Sequence, residues 1–120
     1  MNAVEYDLTG DPQRAKATAI QALESRKFKI TWSGDWDAVA QRGNVAANLL
    51  FGAFAQYFKV GVTVRSGAQG VSVVRIDKSS SGWTGGWLGA SRTKRNFESL
   101  HAELESTFRT AGVLSAVRVL

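Results

Sequence analysis

Short runs in which apolar and polar residues alternate constrain the fold of this chain more than any other feature. In the first run, Val4, Tyr6 and Leu8 are separated by Glu5 and Asp7. Because successive side chains of a β-strand point to opposite faces, such a run predicts a strand with one buried face. Comparable runs cover residues 28–32, 36–40, 60–64 and 71–77. With the short turns between them, these runs predict an antiparallel sheet of about five strands.

Two further segments have the apolar spacing of amphipathic helices. The first covers about residues 12–26 and begins with two start signals, Asp11 as the N-cap and Pro12 at the first helical position. The second covers about residues 91–111, where apolar side chains recur three or four positions apart. Gly112 suits the position that follows the last turn of this helix.

An apolar segment, residues 45–58, lies between the third and fourth predicted strands. It is too short to cross a bilayer and contains Asn48 and Gln56, so we expect a short inserted helix. With 120 residues the chain forms one domain, residues 1–120. The predicted fold is α+β, with the order β-α-β-β-β-β-α and two helices packed on one face of an antiparallel sheet.

This order of elements resembles that of the half-repeat of the TATA-box-binding protein and of the related helix-grip folds. It is also similar to the layout of small bacterial proteins. The resemblance covers most of the chain, from the strand that contains Val4 to the helix that precedes Gly112, and it includes no motif residue. It therefore implies a fold without a ligand or a reaction, because unrelated functions occur on the same fold.

Residues 79–95 indicate a contact surface. They include four glycines and two of the four tryptophans, and they end with three basic residues. Glycine allows another surface to approach closely, and tryptophan is costly to expose without a partner. The tryptophans either fill the core of the domain or form an interface with the aromatic side of segment 45–58. The candidate interface residues are Trp83, Trp87, Gly85, Gly86, Leu50, Phe51, Phe54 and Phe58, and the candidate anion-binding residues are Arg92, Lys94 and Arg95.

The chain is basic, with a net charge of +5 and a pI of about 10.0. Such a balance favours polyanionic partners, which include nucleic acid, anionic lipid and phosphorylated ligands. Lys27, Lys29, Lys59 and Arg65 oppose the apolar positions of their strands, which predicts one basic face of the sheet. Aromatic residues that stack on bases are missing from those positions, so a solvated face is favoured over a nucleic-acid platform.

The sequence does not assemble a catalytic or metal-binding set. Cysteine is absent, and the single histidine, His101, lies on the apolar stripe of the last helix, where a buried, hydrogen-bonded side chain is the favoured interpretation. Asp35 and Asp37 flank Trp36 in a turn, and turn chemistry accounts for them. The glycines of residues 82–89 match neither the Walker nor the dinucleotide spacing. We therefore expect a protein without catalytic activity, cofactor or metal.

The favoured hypothesis is a non-catalytic binding or assembly domain that uses its apolar, glycine- and tryptophan-rich surface. This surface would serve self-association into a homo-oligomer or contact with an anionic membrane. Two alternatives stay open: binding of a small apolar or phosphorylated ligand between sheet and last helix, and weak binding of nucleic acid through the basic face. Residues 1–7 lack the basic and apolar regions of a secretory signal, so we expect a cytoplasmic protein that reaches the inner face of the membrane.

Overall fold

The computed structural model describes residues 2–42, 58–78 and 86–120, and for residues 86–93 it describes the backbone alone. In these ranges the strands are β1 (Ala3–Thr9), β2 (Lys29–Trp32), β3 (Asp37–Arg42), β4 (Phe58–Ser66), β5 (Val71–Lys78) and β6 (Leu114–Val119). The helices are α1 (Pro12–Glu24), between β1 and β2, and α2 (Gly86–Thr110), between β5 and β6. The helix predicted for residues 45–58 falls, except for its last residue, outside the described residues.

The described strands form one antiparallel sheet with the spatial order β2-β3-β4-β5-β1-β6. The predicted α+β class and the antiparallel sheet are confirmed. The predicted number of about five strands was wrong, because residues 114–119 form a sixth strand in which Val117 pairs with Tyr6 of β1. Two adjacent small residues, Ser115 and Ala116, interrupt the alternation of apolar and polar residues in this strand. The strand is therefore recognised from its pairing with β1 more clearly than from its sequence.

Helix α1 follows β1 and covers the sheet with a narrow apolar stripe. The Asp11 carboxylate accepts a hydrogen bond from the Arg14 amide at 2.8 Å, which confirms the predicted N-cap. The residues that α1 buries are mostly alanines, so the helix approaches the sheet closely; they are Ala15, Ala19, Ala22 and Leu23. The helix ends at Glu24, and the chain turns towards β2 through Lys27, whose φ of 70° lies in the left-handed region.

One hydrophobic core lies between the sheet and the two helices. Alternate residues of β1, β3, β4 and β5 point into it, together with the apolar stripes of both helices. The contribution of α2 is Phe97, Leu100, Leu104 and Phe108. Ile30 and Trp32, apolar residues of the alternating run 28–32, are only partly buried, because they belong to the edge strand β2. Both helices therefore share one face of the sheet, and the other face is open in the described fold.

Helix α2 is longer than predicted and longer than the strands that it covers. It begins at Gly86 rather than near Ser91, and its 25 residues span about 37 Å at the usual rise per residue. The nine residues of β4 span about 30 Å. After the helix, Gly112 has a φ of 74°, the left-handed conformation expected for a residue at this position.

Candidate anion-contact site at one end of the sheet

Four neighbouring strands present basic side chains at the same end of the sheet. Arg42 at the end of β3 pairs with Phe58 at the start of β4, and Lys78 at the end of β5 pairs with Val60. Lys29, the first residue of β2, lies at this end as well, because β2 pairs with the last residues of β3. We call this region the basic end and define it by Lys27, Lys29, Arg42, Lys59, Lys78, Lys94 and Arg95.

Two of these cations lie over aromatic rings of the core. The guanidinium carbon of Arg42 is 4.9 Å from the centre of the Phe28 ring, and Nζ of Lys78 is 5.7 Å from the centre of the Phe97 ring. Phe58 packs edge-on against Phe28, with ring centres 6.0 Å apart. Each cation–π contact contributes about 0.5–1 kcal/mol at an exposed site. The buried rings therefore hold both cations in place at this end.

Helix α2 brings two more cations to the basic end. Because Phe97 lies beside Lys78, the residues that precede it in α2 are close to the end of β5. Lys94 and Arg95 occupy that part of the helix, and both are exposed. They are therefore free to approach a surface that contacts this end of the molecule.

Carboxylates are fewer than cations at this end of the described fold. Glu24 at the end of α1 and Glu98 on α2 are exposed. Asp77 lies on the open face, where its carboxylate covers Gly61 so closely that a Cβ at that position would be 2.6 Å from Oδ1. Cations therefore dominate the potential here, and an approaching anionic surface is attracted to this end.

The predicted contact residues have different positions in the structure. Lys94 and Arg95 are exposed at the basic end. Phe58 is 2% exposed, so it belongs to the core instead of a contact surface, because the first residue of β4 faces Phe28. The backbone of α2 includes Gly86, Trp87 and Arg92, and the side chains of Trp87 and Arg92 are outside the described part. The predicted residues that lie outside the described ranges are Leu50, Phe51, Phe54, Trp83 and Gly85.

The open face of the sheet carries ion pairs that the sequence did not reveal. At their centre, the Glu5 carboxylate accepts hydrogen bonds from three guanidinium groups, those of Arg65 (2.9 Å), Arg118 (3.2 Å) and Arg75 (3.4 Å). Arg118 also donates two bonds to the Asp7 carboxylate, at 2.6 and 2.8 Å. We call these five residues the Glu5 cluster. They fasten β1 to β4, β5 and β6, although β4 is not its neighbour.

The guanidinium groups keep the carboxylates of the Glu5 cluster ionised. The hydrogen bond from Arg65 is the main reason that the pKa of Glu5 falls from 4.5 to about 2, against the effect of burial. The bond from Arg118 likewise lowers the pKa of Asp7. Arg65 was predicted to be part of a basic face, together with Lys27, which instead lies in the turn before β2. Because Arg65 is compensated by Glu5, that face is not a continuous basic platform.

A second polar contact joins the sheet to α2. The hydroxyl of Tyr6 lies 2.9 Å from Nδ1 of His101, and Nε2 of His101 lies 3.9 Å from a carboxylate oxygen of Glu105. Burial raises the pKa of Tyr6, so its hydroxyl stays protonated and is able to donate to the imidazole. The His101 side chain is 16% exposed. The histidine is therefore a hydrogen-bonded part of the packing, as its place on the apolar stripe predicted.

Changing Tyr6 to phenylalanine tests this contact. We expect the free energy of unfolding to fall by about 1–2 kcal/mol, because Nδ1 of His101 loses its partner while the ring packing is kept. Urea unfolding of Tyr6→Phe gives the measurement. His101→Phe, which removes the other partner of the same contact, is measured beside it. Equal stability of Tyr6→Phe and the unchanged protein would contradict a stabilising role for the hydroxyl.

Other kinds of site find little support in the described residues. No three His, Asp or Glu side chains in the described ranges form a group that could hold a metal ion. Between the sheet and α2, where a small ligand was an alternative, the described side chains pack into the core. Neither of the helices in the described ranges is long and apolar enough to cross a membrane.

No known protein family matches the chain, and comparison with curated proteins gives no significant match. Among the described residues, charge is concentrated at the basic end and in the Glu5 cluster.

Proposed function

We propose that the protein is a non-catalytic binding domain that contacts an anionic membrane surface through its basic end. The proposal is supported by the positions at which two chain segments join the fold. Residues 43–57 connect Arg42 to Phe58, and residues 79–85 follow Lys78. These segments contain most of the aromatic and glycine residues of the candidate interface. The basic end therefore lies beside the points at which the apolar segment 43–57 and the segment that contains Trp83 are attached.

This combination supplies the two interactions on which peripheral membrane binding depends. Each Lys or Arg near an anionic lipid surface contributes about 1 kcal/mol. Aromatic side chains such as Trp83, Trp87 and Phe54 would enter the interfacial region, where tryptophan is favoured. Cations alone bind weakly at physiological salt because of screening, so the apolar anchors are a necessary part of the proposal.

The absence of catalysis is also part of the proposal. Among the described residues, the acidic groups with shifted pKa values are Glu5, Asp7 and Tyr6. Arginines of the sheet hold the two carboxylates, and His101 contacts the phenol. Hydrogen bonds from the arginines lower the two carboxyl pKa values and burial raises the pKa of Tyr6, so the shifts give no support to a catalytic role.

Vesicle co-sedimentation tests the contribution of charge. We expect binding to vesicles of phosphatidylcholine with phosphatidylglycerol, weakened by added salt, and no binding to phosphatidylcholine alone. Lys94→Gln/Arg95→Gln should bind about thirtyfold more weakly, because two charges worth about 1 kcal/mol each are removed. The matched control Arg14→Gln/Arg109→Gln removes two charges at the other ends of the helices and should bind within about twofold of the unchanged protein.

A second variant tests the apolar contribution. Trp83→Ser/Trp87→Ser should keep its circular dichroism spectrum and melting temperature and lose vesicle binding, because the anchors are gone. If it unfolds, the tryptophans belong to the core and the apolar part of the proposal is wrong. The role of the basic end is contradicted if the Arg14/Arg109 control weakens vesicle binding as much as the Lys94/Arg95 variant does. It is also contradicted if the protein does not bind vesicles that contain phosphatidylglycerol. Salt-sensitive binding to DNA without vesicle binding would favour the nucleic-acid alternative.

A further inference from the structure

Strand β6 has a partner on only one side in the described fold. It is the last strand in the sheet order and pairs with β1. The Leu120 amide donates to the Ala3 carbonyl at 2.8 Å, so Leu120, Arg118 and Ala116 direct their backbone groups towards β1 as far as the bulge at which the register shifts. The N–H and C=O groups of Val117 and Val119 therefore point away from the sheet. These groups are able to pair with another strand.

This edge has only one of the features by which sheets usually protect their edges, a bulge near Leu114 where the register with β1 shifts between Asp7 and Leu8. Strand β6 has six residues and contains neither lysine nor proline. Its one charged residue, Arg118, is compensated by Glu5 and Asp7. Val119 and Leu120 are 53% and 51% exposed, and they are the large hydrophobic residues that stand out as exposed in the described part. The edge is therefore mostly apolar, its one cation is paired within its own sheet, and it is long enough to pair.

The opposite edge of the sheet is better protected. Strand β2 has four residues, begins with the exposed Lys29 and follows Lys27 in its left-handed turn. A short edge strand with lysines discourages pairing with another chain. The Ser33 amide donates to the Asp37 carbonyl at 2.9 Å, so Ser33 and Thr31 direct their backbone groups towards β3. The backbone groups of Ile30, which alternates with them, therefore point outward. Ile30 is thus the counterpart of Val117 on the protected edge.

We infer that β6 pairs with β6 of a second copy of this chain, antiparallel, about a two-fold axis beside Val117. This register places Val117 opposite its own counterpart and Val119 opposite Ser115. It also places Arg118 opposite Ala116, whereas an axis at Arg118 would set two guanidinium groups against each other. The outward backbone groups of Val117 and Val119 then bond to the second copy, and the two sheets become one continuous sheet.

A second copy suits this edge because a two-fold interface must be self-complementary. The strand satisfies this condition in the proposed register, since small and β-branched residues meet and the two Arg118 side chains remain with their own Glu5 and Asp7. This inference is independent of membrane binding. Strand β6 is the last strand at one edge of the sheet, whereas the basic end is formed by the ends of strands β2 to β5. Both surfaces are therefore available in the same molecule.

Cysteine cross-linking tests the register, since the chain contains no cysteine of its own. In the proposed pairing the two Val117 Cα atoms are about 5.5 Å apart, within the range of a disulfide. The two Ala116 Cα atoms are offset along the strands and lie beyond the limit of about 7 Å. We expect Val117→Cys to form a covalent dimer under mild oxidation and Ala116→Cys to remain monomeric. Equal cross-linking of both variants would overturn the register.

Mass in solution tests the pairing itself. We expect the unchanged protein to reach twice 13.0 kDa by sedimentation equilibrium without lipid. Val117→Pro removes an outward N–H and leaves the bonds to β1, so the dissociation constant should rise at least about tenfold. Ile30→Pro makes the same change on the other edge and should leave the mass unchanged. A mass of 13.0 kDa at all concentrations, or a Val117→Pro dimer of normal affinity, overturns the inference; if Val117→Pro does not fold, the cysteine pair decides.

Discussion

Replacing Leu104 by alanine should lower the free energy of unfolding by about 2–5 kcal/mol. Leu104 is 1% exposed and lies on α2 in the core shared by the sheet and both helices. The substitution removes the transfer free energy of the side chain and leaves a cavity as well. The sheet beneath is held by its hydrogen-bond ladders, so it cannot move far enough to fill that space.

Urea unfolding of Leu104→Ala measures this effect, and Ser106→Ala is the matched control. Ser106 is exposed on the same helix two residues away, so its replacement should change stability by no more than about 0.5 kcal/mol. The dependence on urea should have the same slope for both variants, since neither changes the surface exposed on unfolding by much. A loss below about 1 kcal/mol for Leu104→Ala would show that α2 does not pack as described.

The elements with strong local patterns could be predicted from the sequence. The alternation of Val4, Tyr6 and Leu8 predicted β1, and Asp11 followed by Pro12 predicted the start of α1. These signals are local because side-chain direction in a strand and the first turn of a helix depend on neighbouring residues alone. The general class of the fold follows from the order of such elements.

The apolar residues 113–120 suit either an added strand or a docked end, and neither the place of this strand in the sheet nor the Glu5 cluster could be predicted, because both depend on which strands become neighbours. Glu5 and Arg118 are 113 residues apart in the sequence and meet only because β6 pairs with β1. Arg65 contacts Glu5 across β5, which lies between their strands. A local pattern marks all three residues as polar and contains no information about the order of strands in the sheet.

The positions of the candidate contact residues could be predicted only in part, for the same reason. Lys94 and Arg95 follow from composition, since charged residues on a helix are usually exposed. Phe58 was assigned to a surface because it ends an apolar, helix-like segment, yet it also has the correct phase for a strand with Val60 and Val62. Its burial depends on Phe28, a distant residue, and the local pattern therefore left both interpretations possible.

Replacing Glu5 by glutamine should also cost stability, and the cost should depend on pH. The glutamine keeps the shape of the side chain and removes the negative charge to which Arg65, Arg75 and Arg118 donate hydrogen bonds. The pKa of Glu5 is about 2 in the folded protein and 4.5 as its ordinary value. Such a difference corresponds to about 2–3 kcal/mol at neutral pH, after allowance for screening of the half-exposed guanidinium groups.

The sign of the pH dependence follows from the lowered pKa. Above about pH 5 the carboxylate is ionised in both folded and unfolded chains, and its full stabilisation is present. As the pH falls from 4.5 towards 2, the unfolded chain binds a proton before the folded protein does, so this stabilisation is lost. The stability difference between the unchanged protein and Glu5→Gln should therefore be constant near neutrality and approach zero near pH 2.

Urea unfolding at several pH values measures this difference, with Glu103→Gln as the matched control. Glu103 pairs with Arg26 at 3.2 Å, but its side chain is 50% exposed, so the control should cost no more than about 1 kcal/mol. Added salt should reduce the loss in Glu5→Gln only modestly, because Glu5 is 6% exposed and screening acts chiefly on exposed charges. A loss for Glu5→Gln that is equal to that of the control, or one that is the same at pH 2 and pH 7, would mean that the ionised carboxylate does not hold the three arginines and β6 to the sheet.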